Sequence, residues 1–210
     1  MLEFRQFLRS LKDKYIFGKY SSGIIKPGDS YEPEYDNGGF WKRRLPPTQS
    51  LLQAARIFNE NKGETIVEIG TGIHGFMSGD SCKIWSKKTN AKRIIAVDLD
   101  YRRTEEVRKA LSNEKRLKTF VTDGISFLRS YKGIIDLLYL DFWCDDGQTR
   151  ANSYLEAYES AKRHFRKNSM ILIDDTDHLH PWKHTLIVPE AEKDGFKLIW
   201  EGRQTLLKME

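Results

Sequence analysis

From Gly63 onward, short apolar runs alternate with longer amphipathic or charged stretches. Thr65–Ile69, Arg93–Val97, Thr119–Val121, Ile134–Leu140 and Met170–Ile173 read as five strands. A helix-like stretch running through Trp85, the charged Thr104–Leu111, a short segment ending near Tyr131 and the long Arg150–Arg166 read as helices between them. Strand and helix repeated in this way predict a parallel sheet with helices on both faces, because parallel neighbours need a crossover connection. The rhythm breaks near the end. Phe196–Trp200, the turn Glu201-Gly202-Arg203 and Thr205–Lys208 predict two strands around a turn. The expectation is an α/β fold: a Rossmann-like, doubly wound, mostly parallel seven-stranded sheet with a C-terminal antiparallel hairpin.

Residues 1–62 carry a different pattern, so 63–210 is expected to form the main domain. Phe4, Phe7, Leu8, Leu11 and Tyr15 recur at three- and four-residue steps, one apolar helix stripe. Such a helix docks on the domain, on a second copy as a homodimer, or on a membrane surface. Ser21–Pro47 is punctuated by glycine and proline with Tyr31, Tyr35, Phe40 and Trp41 between them, which predicts an ordered loop covering a pocket. Thr48 or Ser50 then caps a helix through Asn59, with Leu51, Leu52, Ala55 and Phe58 inside.

Composition narrows the class. With 39% hydrophobic and 12% aromatic residues in 210, a disordered chain is excluded. Two cysteines, Cys82 and Cys144, exclude a disulfide scaffold and a CxxC zinc site and suit a reducing, cytoplasmic setting. The 35 basic residues against 30 acidic give +5, spread in pairs and triplets such as Lys42-Arg43-Arg44 and Arg102-Arg103. Scattered charge of this kind suits solvated faces better than a nucleic-acid stripe, although an acidic partner stays open. No apolar run is long enough for a membrane span or a leader core.

The chemistry starts at Val67-Glu68-Ile69-Gly70-Thr71-Gly72-Ile73-His74-Gly75. A strand that ends in glycines and feeds a helix presents main-chain N–H groups at the sheet's carboxyl edge. The string satisfies the dinucleotide fingerprint G-x-G-x-x-G. Glu68 argues against a nicotinamide cofactor, since its carboxylate would stand where a pyrophosphate belongs, and so does the closing hairpin.

This set resembles the class I S-adenosylmethionine-dependent methyltransferases over about Thr65 to Lys208: Glu-x-Gly-x-Gly after strand one, acids after strands two and three, an Asp ending strand four and the terminal hairpin. The resemblance implies S-adenosylmethionine as cofactor. Gly70, Thr71 and Gly72 would pack on its methionine part and Glu68 would hold its amino group. Asp98 would accept both ribose hydroxyls, with Asp100 as a rival, Asp123 and Gly124 would lie at the adenine edge, and Asp141 would border the same crevice. His74 stands where many members have a third glycine, which arrives here at Gly75. A sulfonium with an ammonium and a ribose diol favours carboxylates where phosphates would be repelled.

Asp141 ends the fourth strand, and Asp174 and Asp175 end the fifth. Neighbouring parallel strands bring such ends within about 5 Å, where three carboxylates repel unless a cation or protons intervene. All-oxygen ligands suit Mg²⁺ or Ca²⁺ and argue against zinc. The pattern is similar to the magnesium-dependent O-methyltransferases of the catechol and macrolide-sugar types. The catechol type places a lysine base three residues after the strand-four Asp. Cys144 occupies that place, and Asp177-His178-Leu179-His180 brings the chain closer to the sugar type. There His178, or His180, would take the acceptor's proton. Trp143, Trp182 and the early-loop aromatics either wall the acceptor pocket or pack as core or lid, and His164 would lie on the helix surface.

The sequence thus predicts a methyltransferase acting on a small-molecule hydroxyl, a sugar or natural product, with divalent-metal assistance. The alternatives are a metal-independent N- or RNA methyltransferase, a nicotinamide-dependent oxidoreductase, and a binding protein without turnover.

Overall fold

A computed structural model describes residues 47–71, 81–143, 147–176 and 183–210. The N-terminal stripe, the aromatic loop and Cys144 lie outside them. Seven strands form one sheet: β1 (Thr65–Ile69), β2 (Arg93–Asp98), β3 (Leu117–Val121), β4 (Leu137–Leu140), β5 (Met170–Asp174), β6 (Phe196–Trp200) and β7 (Gln204–Met209). Their order is β3-β2-β1-β4-β5-β7-β6. The first five run parallel, and β7 pairs antiparallel with both β5 and β6. The expected α/β architecture is therefore present, with the final hairpin inserted so that β7 lies inside and β6 at the edge.

Period-two alternation divides the strands between two helical layers. Val67, Ile69, Ile95, Val97, Leu138, Leu140, Ile171 and Ile173 pack with α4 (Gly124–Ser130), α5 (Gly147–Ala161) and α6 (Ile187–Lys193). Ile66, Ile94, Leu137, Tyr139, Met170 and Leu172 face the other layer, α1 (Pro47–Glu60) and α2 (Ser81–Lys88). On that side α3 (Tyr101–Ala110) adds Val107, which packs with Cys82 and Ala96. Leu51, Ala54, Ala55 and Phe58 of α1 are fully or almost fully buried, so this helix belongs to the core.

Several elements differ from the sequence reading, α1 among them: the helix already runs from Pro47, so Thr48 and Ser50 lie within it rather than at its cap. β4 begins at Leu137, because the Asp136 carboxylate before it accepts the main-chain N–H groups of Glu64 and Thr65 and so ties two strand beginnings together. The long helix ends at Ala161 and passes into a 3₁₀ turn, Lys162–His164. His164 is consequently buried, with Nε2 at 3.2 Å from the Leu128 carbonyl and its ring edge-on to Tyr131, which corrects its expected surface position. Helix α6 was not anticipated. Pro189 disguises it, but a proline in the first turn removes an N–H that has no intrahelical partner.

Candidate active site

The strand order reverses between β1 and β4, and the site lies at the carboxyl ends of these strands. Gly70 follows β1 at φ +85°, and a Cβ there would lie 2.3 Å from the Asp141 carbonyl oxygen. Only glycine meets both conditions. Its N–H donates to the Val97 carbonyl at 2.9 Å, and the Asp141 N–H donates to Ile69 at 2.9 Å. Gly124 opens α4 against the same strand end, where a Cβ would lie 2.1 Å from Ile69 Cγ2.

Asp98 closes β2 with its side chain only 10% exposed. Its Oδ1 accepts the Asp100 N–H at 2.8 Å, and Arg103 Nη1 lies 3.9 Å from Oδ2. Asp100 caps α3 by accepting the Arg102 N–H at 2.8 Å, which assigns the rival for the ribose a structural task. Asp123 likewise caps α4, accepting the Ser126 N–H at 2.7 Å. Leu99 and Tyr101, which sequence reasoning passed over, are 71% and 63% exposed beside Asp98. Large apolar side chains held in water next to a fixed carboxylate are the signal that marks them.

Glu68 is placed differently from the expectation. Strand alternation turns it to the α2 side, fully buried. Ser81 Oγ donates to Oε1 at 2.7 Å, while Trp85 Nε1 at 2.8 Å and Cys82 Sγ at 3.3 Å donate to Oε2. Burial drives its pKa upward against the pull of these hydrogen bonds. Its visible work is to fasten α2 beneath the glycine turn rather than to face an open crevice. Thr71 joins this set, with Oγ1 3.3 Å from Cys82 Sγ. Gly72 lies outside the described residues.

Asp141, Asp174 and Asp175 do converge, with one oxygen from each inside a 4.8 Å cluster. The structure adds two cations that the sequence did not announce. Lys183, its side chain 1% exposed, places Nζ 3.5 Å from Asp141 Oδ1 and 3.3 Å from Asp175 Oδ2. Arg203 pairs with Asp175 and lies 3.8 Å from Asp174 Oδ2. Gln204 Nε2 donates to Asp174 Oδ1 at 2.5 Å and to the Tyr139 hydroxyl at 3.2 Å. Desolvation, then the neighbouring Asp174 charge, pushes the Asp141 pKa well up, with Lys183 pulling the other way. Asp175 takes a positive φ of 56° to reach this arrangement. No spacing rule could have found Lys183, because its partners come from two different strand ends.

The three expected magnesium ligands thus converge, with two cations among them. The oxygens have a chelating spacing, but an ammonium and a guanidinium already engage them, so the donor set as built does not fit a divalent ion. Among the other expected residues, Trp143 is 70% exposed with the Arg150 guanidinium 4.4 Å from its ring centroid. His178, His180 and Trp182 lie outside the described residues.

At the level of sequence, no protein-family model and no curated protein matches the chain. Solved structures do. The SAH-bound methyltransferase PaMTH1 of Podospora anserina is similar at 17% identity and a TM-score of 0.56, with 80% of this chain and 83% of that one covered. The N-methyltransferase NodS of Bradyrhizobium japonicum gives 15% and 0.52 over 77% and 93%. TrmN of Thermus thermophilus gives 15% and 0.54 over 79% of this chain, which spans about half, 49%, of that longer protein. These likenesses establish the fold: the seven-stranded, Rossmann-like sheet of the class I methyltransferases.

Proposed function

We propose that this protein is an S-adenosylmethionine-dependent methyltransferase acting on a hydroxyl of a small molecule. One observation carries the reading: Asp98, anchored by the Asp100 N–H at the carboxyl end of β2, stands one strand away from the positive-φ Gly70 turn. A fixed carboxylate suits a ribose diol, which offers two donors. Leu99 and Tyr101 offer apolar surface for a nucleobase, and the Asp123–Gly124 cap borders its edge.

When bound, the cofactor supplies a methyl group on a sulfonium, which passes to the acceptor oxygen and leaves a thioether. The chain's part is to hold the acceptor oxygen about 3 Å from that methyl, in line with the breaking bond. Asp141, at the switch point between β1 and β4, can accept a hydrogen bond from the acceptor hydroxyl. His178, three residues beyond Asp175 in sequence, is proposed to take the hydroxyl proton on a ring nitrogen.

A second reading, transfer to a nitrogen, is supported by the similarity to an N-methyltransferase. Calorimetric titration of the full chain with S-adenosylmethionine tests the shared part. Saturable binding is expected, and its absence, with NAD bound in its place, would overturn both readings. A panel of hydroxyl and amine acceptors then separates them by which product forms.

A further inference from the structure

A buried lysine is costly unless its charge is matched. Lys183 is matched by carboxylates from the ends of two different strands, β4 and β5, with the Tyr154 ring centroid 5.3 Å from Nζ. The charge count is close to balanced: three acids against Lys183 and Arg203. The ligand positions are also committed. Asp141 Oδ1 and Asp175 Oδ2 face Nζ, Asp174 Oδ1 takes the Gln204 amide, and Arg203 holds the remaining side of Asp175. A hard divalent ion needs several of these oxygens at once, at about 2.0–2.6 Å. To take Asp141 Oδ1 and Asp175 Oδ2 it would have to expel the ammonium.

We infer that Lys183 supplies, from within the chain, the positive charge that a divalent ion would otherwise bring to Asp141, Asp174 and Asp175, and that this site works without a metal. Lys183 is a positioning residue. It fixes the carboxyl groups at the acceptor side of the crevice, tying the end of β4 to the end of β5. Thr176 ties the end of β5 to the turn that carries Arg203, its hydroxyl donating to the Gly202 carbonyl at 2.6 Å and its N–H to the Arg203 carbonyl at 3.0 Å. The functional consequence rests on the methyltransferase reading, whereas the occupancy by lysine does not.

The probe is Mn²⁺ alone, followed by electron paramagnetic resonance on the full chain. Wild type is expected to leave the free-ion signal undiminished and to melt at the same temperature in EDTA and in Mg²⁺. Lys183→Met, which keeps the length and removes the charge, is expected to bind one Mn²⁺ per chain and to melt higher when the ion is added. Adding Asp175→Asn should abolish that binding. Stoichiometric Mn²⁺ uptake by wild type, lost in Asp174→Asn, would overturn the inference, and so would a folded Lys183→Met that binds no ion. If Lys183→Met does not fold, the wild-type arms decide alone. Failure of S-adenosylmethionine to bind would sink the proposed function and leave the Mn²⁺ result standing.

Discussion

Gly70 and Asp141 meet main chain to main chain, close enough that a single methyl group on Gly70 would lie 2.3 Å from the Asp141 carbonyl oxygen. The contact joins the first turn of the sheet to the end of its fourth strand, at the point where the strand order reverses. The carboxyl ends of β1 and β4 are thereby set against one rigid reference. The Lys183 cluster sits on the Asp141 side of that contact and the Asp98 carboxylate on the Gly70 side.

Gly70→Ala tests the contact. A Cβ must adopt φ +85° and also push against backbone that has no soft rotamer to give way. The expected loss is about 2–4 kcal/mol, combining left-handed strain with overpacking. Urea denaturation read by tryptophan fluorescence checks it, and an unchanged midpoint would contradict the geometry.

Asp98→Asn should leave the fold intact, since an amide oxygen can still accept the Asp100 N–H. It removes a charge from the hydrogen bonds proposed for the ribose hydroxyls. Such bonds contribute about 1.5–3 kcal/mol, so affinity for S-adenosylmethionine should fall roughly ten- to hundred-fold. Calorimetry measures it. Asp100→Asn, which alters the cap and a long contact to Arg103, should change affinity far less than Asp98→Asn.

Glu68 makes stability depend on pH in an unusual direction. Its folded pKa is raised by burial, so the native state holds the proton after the unfolded chain has released it. The contribution is fully present below the unfolded carboxylate pKa and is lost as pH rises toward the folded value. Glu68→Gln, turned so that its oxygen meets Trp85 Nε1, should flatten this dependence and cost no more than about 1 kcal/mol at low pH. Glu68→Ala strands the indole N–H and opens a cavity, and should cost about 2–4 kcal/mol. Denaturation midpoints at pH 5 and pH 8 separate the two variants.

Glu114 gives the opposite slope. Its carboxylate holds Arg116 at 2.6 and 2.9 Å, while the same guanidinium donates to the carbonyls of Ser86, Thr89 and Ala91. The Arg116 hydrogen bonds to the carboxylate, with another from Ser86 Oγ at 2.6 Å, lower the Glu114 pKa from 4.5 to about 2. Stability from this pair is complete above the unfolded pKa and disappears as pH falls from there through about 2. Glu114→Gln should be weaker than wild type at pH 7, by about 1 kcal/mol once solvent screening of this partly exposed pair is allowed for, and close to it near pH 2. An acid titration of both proteins by circular dichroism provides the comparison.

Much of the fold was legible because its signals are local. Apolar runs such as Ile94–Val97 and Ile171–Ile173 have no solvent-facing positions, as parallel strands covered on both faces require. Helix α6 escaped because Pro189 carries a breaker signature whose cost vanishes in a first turn. His164 was misplaced because one early helix ending rotated it inward, onto the Leu128 carbonyl.

By itself the sequence determined the strand–helix alternation, the glycine turn after Thr65–Ile69 and the acids at the strand ends, since each depends on residues adjacent in the chain. Tertiary structure alone decided what those acids do. Whether Glu68 faces a crevice or Trp85 follows from which sheet face its strand position selects, and from α2 covering that face. Whether three aspartates face an ion or a lysine depends on a residue 42 positions from one partner and eight from another. Electrostatic energy is set by distance in space, and only the folded chain fixes that distance.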